Sequence, residues 1–297
     1  MDQVYQQDLS QESPRPGGPF LIQMLFREPT ELPDRDTMLR VLQQHCGRLD
    51  CFCHDEKMAG FAALDHMATF QDGSAPVQLM ITACSKISED LFDPFTRSQM
   101  WDCMGERDQI LAECRWQIVG VDMLTAALDP LERADLDMDF LEALAELFPT
   151  CVAFYFQNCG KLLKAEEVRG NTITGPDRFI RFGVNARFFN IQGTDDMLVD
   201  TLGMSTLFLP DLQYHFHDMD PNWVVGHAYS VASYLLLAGN PIQDGETVDG
   251  VLDGAISQEV QWKCQHEGSL IQPPREVLDI FMGEYASGTR ENWLSAR

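Results

Sequence analysis

The sequence has little positive charge: its 297 residues include 21 Lys plus Arg against 46 Asp plus Glu, a formal charge of −25 at pH 7. Nucleic-acid binding depends mainly on Lys and Arg side chains that neutralise phosphates, so this balance argues against a nucleic-acid partner. The same charge would repel an anionic membrane surface and would speed the encounter with a basic protein. A basic protein is therefore the partner that fits this composition, and neither nucleic acid nor a membrane does. The alternative is that the charge serves only solubility, which is the more common case.

Long apolar runs and signal-like features are also missing. No stretch reaches the roughly 18 apolar residues that a membrane-spanning helix needs. Residues 1–20 are polar and rich in Pro and Gly, and they lack the basic start and apolar core of a signal peptide. The nine cysteines are odd in number and too sparse for a disulfide scaffold. We therefore expect a cytoplasmic protein with reduced thiols.

The motifs of common enzyme classes are missing as well. The sequence contains no Gly-x-Ser-x-Gly elbow, no phosphate-binding loop and no Gly-x-Gly-x-x-Gly. We therefore expect no cofactor, and a divalent metal is the alternative. The absence of these motifs also favours a protein that is not an enzyme. Hydrophobic residues make up 45% and charged residues 23%, which is typical of a folded domain.

Hydrophobic patterning in the first half predicts strands and helices in alternation. The turn at 71–74 separates two strands that we expect to form an antiparallel hairpin. Apolar residues at helical spacing predict two long helices, which end at Pro130 and Pro149 because the residue before a proline disfavours helix. The predicted strands are 20–26, 49–55, 60–70, 76–84 and 151–156, and the predicted helices are 36–45, 106–128 and 131–148.

The second half continues the mixture. Asp220 followed by Pro221 is a strong helix start, with the aspartate as N-cap and the proline at the first helical position. The predicted strands are 178–191, 211–218 and 255–264, and the predicted helices are 195–202, 220–237 and 275–282. Hairpins outnumber strand-helix-strand crossovers, so we predict an α+β fold with largely antiparallel sheets, packed helices and two related lobes.

Composition shifts suggest the domain organisation. Residues 1–18 are predicted to be a disordered tail and 286–297 a second tail. We expect an N-terminal α+β lobe with a helical pair over 19–168. A polar stretch with Gly170, Gly175 and Pro176 marks either a domain boundary or a long loop, and we place a C-terminal α+β lobe over 176–285.

The segments of the C-terminal lobe resemble a bacterial family known as domain of unknown function 4261. The resemblance is strongest over 188–250 and extends more weakly upstream, and it implies a bacterial cytosolic protein with a shared fold but no activity. The segments that carry it are FFNIQGTDDMLVDTLGM (188–204), LFLPDLQYHF (207–216), DPNWVVGHAYSVASYLL (220–236) and NPIQDGETVDG (240–250).

One stretch has the residue types of a metal site. His215 and His217 are two residues apart, so a strand would point both to one face. A His-x-His pair begins several metal sites, with a carboxylate such as Asp218 completing the ligand set. Such a site would activate water in a metal-dependent hydrolase. A hydrogen-bonded or solvated histidine pair is the alternative, and it is the more common case.

A second stretch is rich in large apolar side chains outside any periodic pattern. Met100, Trp101 and Met104 lie in the irregular region 85–105. Apolar bulk in a loop either anchors a partner or folds back onto the core, and the second is more frequent. These three residues are the candidate partner-binding residues. The leading hypothesis is a non-enzymatic protein-binding module, immunity-like or an adaptor, with an acidic surface.

Overall fold

The computed structural model describes residues 18–288, which divide into two units, Gly18–Gly183 and the residues from Val184 onward. Residues 1–17 and 289–297, which make up most of the two predicted tails, lie outside the described residues. The predicted C-terminal lobe starts at 176, whereas residues 176–183 belong to the first unit. Residues 286–288 are not tail-like, because Ala286 bridges to Phe216 and the Ser287 amide donates to the carbonyl of His215.

The first unit is built on an eight-stranded antiparallel sheet. Its main path runs in the order β2-β3-β4-β6-β1-β7-β8, and the short β5 pairs with β6. The predicted hairpin is present as the β3–β4 pair. The strands are β1 Leu21–Phe26, β2 Leu49–His54, β3 Met58–Phe70, β4 Gly73–Thr82, β5 Ser85–Lys86, β6 Trp116–Met123, β7 Ala153–Phe156 and β8 Lys161–Lys164.

Six helices accompany this sheet: α1 Arg35–Cys46, α2 Pro94–Ser98, α3 Arg107–Glu113, α4 Pro130–Leu147, α5 Ala165–Arg169 and α6 Asp177–Gly183. The longest, α4, confirms the predicted helix 131–148 to within one residue at each end, and it presents buried Leu and Phe side chains. It lies close over the central strand β6, where a Cβ built on Gly120 would sit 2.6 Å from Cδ1 of Leu144. A larger residue at this position would force the side chain of Leu144 to shift, so glycine favours the close approach of helix to strand.

The predicted helix 106–128 is wrong. A short helix, α3, occupies its first third, the central strand β6 follows at Trp116–Met123, and a single 3-10 turn lies at Thr125–Ala127. From Ile118 to Met123 every second residue is buried, which is the two-residue period of a strand. Val119 and Val121 are β-branched and favour the extended chain, and Gly120 would weaken a helix at this point.

The second unit is built on a six-stranded sheet in the order β12-β13-β14-β11-β10-β9. All neighbours are antiparallel except β11 and β14, which run parallel. The strands are β9 Asn185–Asn190, β10 Met197–Leu202, β11 Asp211–Phe216, β12 Thr247–Leu252, β13 Ala255–Gly268 and β14 Glu276–Phe281. With helices on both sheets and largely antiparallel strands, the predicted α+β class is confirmed.

One long helix, α7 Pro221–Ala238, packs on β9, β10, β11 and β12. It begins as predicted, because a carboxylate oxygen of Asp220 accepts from the amide of Asn222 at 2.8 Å. It ends at Gly239, whose φ of 73° gives the left-handed C-cap that glycine adopts without strain. Within residues 18–288 no helix combines the length and apolar character needed to cross a membrane.

Three other predictions in this half are wrong. In the predicted helix 195–202, residues 197–202 form strand β10, which pairs with β9, and Thr194 Oγ1 accepts from the amide of Asp196 in the turn between the two strands. The predicted helix 275–282 is instead β14, Glu276–Phe281, a central strand with buried Val277 and Ile280. The predicted strand 178–191 starts as helix α6, where Arg178 pairs with carboxylates of α4, and becomes strand only at Asn185.

Candidate functional site

The predicted metal ligands lie at the end of β11. His215 is on the strand and 8% exposed, and its Nε2 lies 3.7 Å from a carboxylate oxygen of Asp196. His217 follows the strand and lies at the surface, where its Nδ1 is 3.0 Å from Asp218. Asp218 has a φ of 53°, a left-handed conformation that Asp adopts more readily than most residues, and this turns the chain out of the strand.

The two histidines are thus paired with different aspartates. Among residues 18–288, no group of three or more His, Cys, Asp or Glu side chains is arranged so that it could hold a metal ion. The metal-dependent hydrolase rests on the sequence pattern alone and stays a prediction. All nine cysteines, which lie within the described range, are free thiols.

A third histidine, His227 on α7, serves as a structural link. Its Nδ1 is 2.9 Å from the hydroxyl of Tyr214 and its Nε2 is 2.7 Å from the carbonyl of Asp249. A carbonyl only accepts, so Nε2 carries the proton and Nδ1 accepts from the tyrosine. Burial lowers the pKa of His227 and keeps the ring neutral. The ring therefore joins α7 to β11 and β12.

The predicted partner-binding residues separate into buried and exposed groups. Met100 is 1% exposed and lies in a core cluster with Leu25 and Ile110, so its side chain does not reach the surface. Trp101 and Met104 are exposed. The loop that carries these residues is therefore anchored on the core through Met100 and turns the other two outward.

Ion pairs and a hydrogen bond also hold this loop in place. The carboxylate of Asp102 lies 2.8 Å from Arg181 and 3.6 Å from the buried ammonium of Lys161. Arg107 donates to the carbonyl of Arg97 at 2.8 Å. Trp101 and Met104 are consequently held on an ordered support within the first unit, as surface side chains.

Sequence reasoning did not identify the buried charge network of the second sheet. Arg187, Asp200, Gln213 and Asp279 are paired in register across β9, β10, β11 and β14, so their side chains form one row on one face. All four are at most 2% exposed. A signal was present in the sequence, because polar residues alternate with apolar ones along β11, from Asp211 to Phe216.

Arg275 is the centre of this network. Its Nε lies 3.0 Å from Asp211 and its Nη2 lies 2.7 Å from Asp200. The remaining N–H groups of its guanidinium donate hydrogen bonds to the carbonyls of Thr201, Ile271 and Pro273. Arg187 donates to the same Asp200 at 2.8 Å. Burial raises the pKa of Asp211, and the guanidinium of Arg275 opposes that rise. These contacts hold four strands and the 269–275 loop in one arrangement.

The second unit also contains an open groove beside α7, which we call the α7 groove. Its volume is about 820 Å³. Tyr234 of α7 and Ile256 of β13 stand at its rim, 51% and 50% exposed. The other lining residues are His227, Ser230, Val231, Pro241, Ile242, Gly245, Glu246, Thr247, Val248 and Asp249. The groove therefore combines exposed apolar side chains with the edge strand β12.

Charge around the α7 groove has one sign. The stretch 188–262 contains eleven Asp and Glu and no Lys or Arg. Asp244, Glu246, Asp253 and Glu259 are exposed around the groove and the β12–β13 hairpin. Like charges so arranged give a negative potential that attracts cations and basic segments. This site could hold a basic, partly apolar segment by contact and charge.

Comparison with known proteins gives one match. No curated protein and no solved structure matches the chain. The matching family model covers β11, α7, β12, β13 and β14, together with Asp200, Asp211 and Arg275 of the buried network. The resemblance predicted from the sequence is confirmed over that segment: residues 200–281 match the family described as "Domain of unknown function (DUF4261)".

Proposed function

We propose that this chain is a non-enzymatic protein-binding module of the bacterial cytoplasm, immunity-like or an adaptor, that takes a basic protein on its acidic surface. The observation that carries the proposal is the charge of the second unit. Residues 184–288 contain 15 Asp plus Glu and three Lys plus Arg, a formal charge of −12.

The placement of the three cations strengthens this observation. Arg187 and Arg275 are buried and bonded to Asp200 and Asp211, so they contribute little to the surface potential. Lys263 is the one Lys or Arg in 184–288 with an exposed side chain. A surface of this kind raises the association rate of a basic partner and disfavours acidic ones.

The exposed side chains of Trp101 and Met104 support binding from the first unit. Aromatic and methionine side chains are enriched at protein interfaces, where they fill pockets of the partner. Met100 supports this surface from below, as part of the core. We propose Trp101 and Met104 as contact residues for the same class of partner.

The test is affinity capture of the tagged full chain from its host, with metal analysis of the same sample. An unrelated acidic protein of similar charge density serves as the bait control. The proposal predicts a stoichiometric basic protein on this chain and not on the control, released when the salt is raised well above the physiological range, because salt screens exposed charges. Equal capture of the same proteins on both baits, or no basic protein on either, would contradict it.

A further inference from the structure

We propose that the α7 groove is the docking site for an extended basic segment of the partner, which lies alongside the edge strand β12. The inference rests on the proposed function and makes it specific: it names the surface, the conformation of the bound segment and its chemistry. The segment would alternate Lys or Arg with bulky apolar residues.

The first argument is the position of β12. Among residues 18–288 it is the terminal strand of its sheet and pairs with β13 alone. An edge strand presents backbone N–H and C=O groups that no neighbouring strand pairs. An extended peptide that adds as a further strand forms hydrogen bonds with them, and the cost is the conformational entropy of ordering that peptide. The carbonyl of Asp249 is bonded to His227, which holds β12 against α7 and keeps this wall of the groove in place.

The second argument is the apolar character of the groove. Tyr234 and Ile256 are about half exposed at its rim, with the buried Ile242 and Val231 behind them. Exposed apolar side chains that converge on one cavity mark a binding surface more often than exposed residues that are scattered. The volume of about 820 Å³ is in the range of known ligand clefts and accommodates several side chains of a peptide.

The third argument, charge complementarity, selects the occupant. Between residues 221 and 262 the chain has five acidic residues and no Lys or Arg. Docking the same surface of a second copy would bring like charges together, which disfavours a symmetric dimer at this groove. A segment that alternates Lys with Val or Phe would place its cations toward the acidic residues and its apolar side chains toward Tyr234 and Ile256.

The probe for the test is the labelled heptapeptide acetyl-Lys-Val-Lys-Phe-Lys-Val-Lys-amide, titrated into the full-length chain and followed by fluorescence anisotropy at about 20 mM and about 150 mM NaCl. The groove variant is Tyr234→Ala/Ile256→Ala and the charge variant is Glu246→Gln/Asp253→Asn. The matched control is Glu89→Gln/Asp90→Asn, which neutralises two exposed acids of the first unit. All changed side chains are exposed, and circular dichroism checks that each variant folds.

We expect the wild-type chain to bind the peptide, and the groove and charge variants to bind it at least about tenfold more weakly. The control should change the Kd by less than about twofold, since neither of its two acids lines the α7 groove. The same peptide N-methylated at Val and Phe should bind more weakly than its parent, because it cannot pair as a strand.

Three results would overturn the inference. One is no binding of the peptide to the wild-type chain. Another is binding that Trp101→Ala weakens and the groove variant leaves unchanged. The third is a wild-type dimer in sedimentation that Tyr234→Ala/Ile256→Ala converts to a monomer, which would make a second copy the occupant. A basic protein captured by both wild type and groove variant would leave the proposed function standing while this inference fails.

Discussion

Replacing Arg275 by methionine tests whether the buried network stabilises the second unit as its geometry implies. Arg275 donates five hydrogen bonds, two to carboxylates and three to carbonyls. Asp200 retains Arg187, so the change mainly leaves Asp211 buried without its cation. Removing one partner of a buried ion pair costs about 3–5 kcal/mol, a large share of the roughly 5–15 kcal/mol that stabilises a domain.

The pH dependence gives the second part of this prediction. Burial already raises the pKa of Asp211 above its usual 3.8, and loss of Arg275 raises it further. The folded variant then binds a proton that the unfolded chain releases, so its stability falls as the pH rises above about 4. We expect urea unfolding, followed by circular dichroism, to show a larger loss at pH 7 than at pH 5. Arg275→Met/Asp211→Asn should recover part of the stability.

The control is Arg35→Met, which removes an exposed arginine that lies 3.6 Å from Asp36 and should change stability little. A loss below about 1 kcal/mol for Arg275→Met would refute the reasoning, because a net hydrogen bond alone is worth that much. An equal loss at pH 5 and pH 7 would refute the assignment of the cost to a stranded carboxylate.

The remaining predictions concern three other sites. Burial raises the pKa of Asp137 well above its usual 3.8, so this group lowers stability as the pH rises above about 4. In urea titrations, Asp137→Asn should flatten that fall. Gly120→Ala should cost about 1–3 kcal/mol in the same assay, because the new methyl meets Leu144. If the hydrolase alternative holds, the metal content in elemental analysis should fall from wild type to His215→Ala/His217→Ala. We expect instead that both proteins contain the same amount of metal, well below one ion per chain.

Secondary structure was predicted correctly where one clear sequence signal marked an element. It was predicted wrongly where the apolar residues fit both the helical and the strand spacing. Asp220 followed by Pro221 predicted a helix start that the structure confirms. The same pair at Asp129 and Pro130 also starts a helix, although from the sequence it is predicted only to end the preceding one. Between 106 and 128, Ile110, Leu111, Cys114 and Ile118 fit a helical spacing, yet the chain changes from helix to strand inside that range. The pairing of β6 with β1 and β4 decides the outcome, and such long-range pairing is not visible in a local pattern.

The candidate sites show a similar division. Residue type alone identified the Trp101 loop and the His215–Asp218 stretch as candidate sites. Which of their side chains are exposed, and which lie close enough to act together, depends on the fold. The buried network joins Arg187 to Arg275 across 88 positions of sequence, and its members look like ordinary surface charges until the strands are placed side by side. The α7 groove combines a helix, a hairpin and a charge bias, of which only the bias is readable in the sequence.

The most direct test of the central claim is hydrogen exchange of the full-length chain, measured by mass spectrometry, free and bound to the basic protein recovered by capture. The account predicts slower exchange in the bound state over β12 and the β12–β13 hairpin, and around Tyr234 on α7. Residues of the buried network, already protected, should change little. Slower exchange confined to other surfaces, or none in a stoichiometric complex, would contradict the claim that this chain binds a basic partner through the α7 groove.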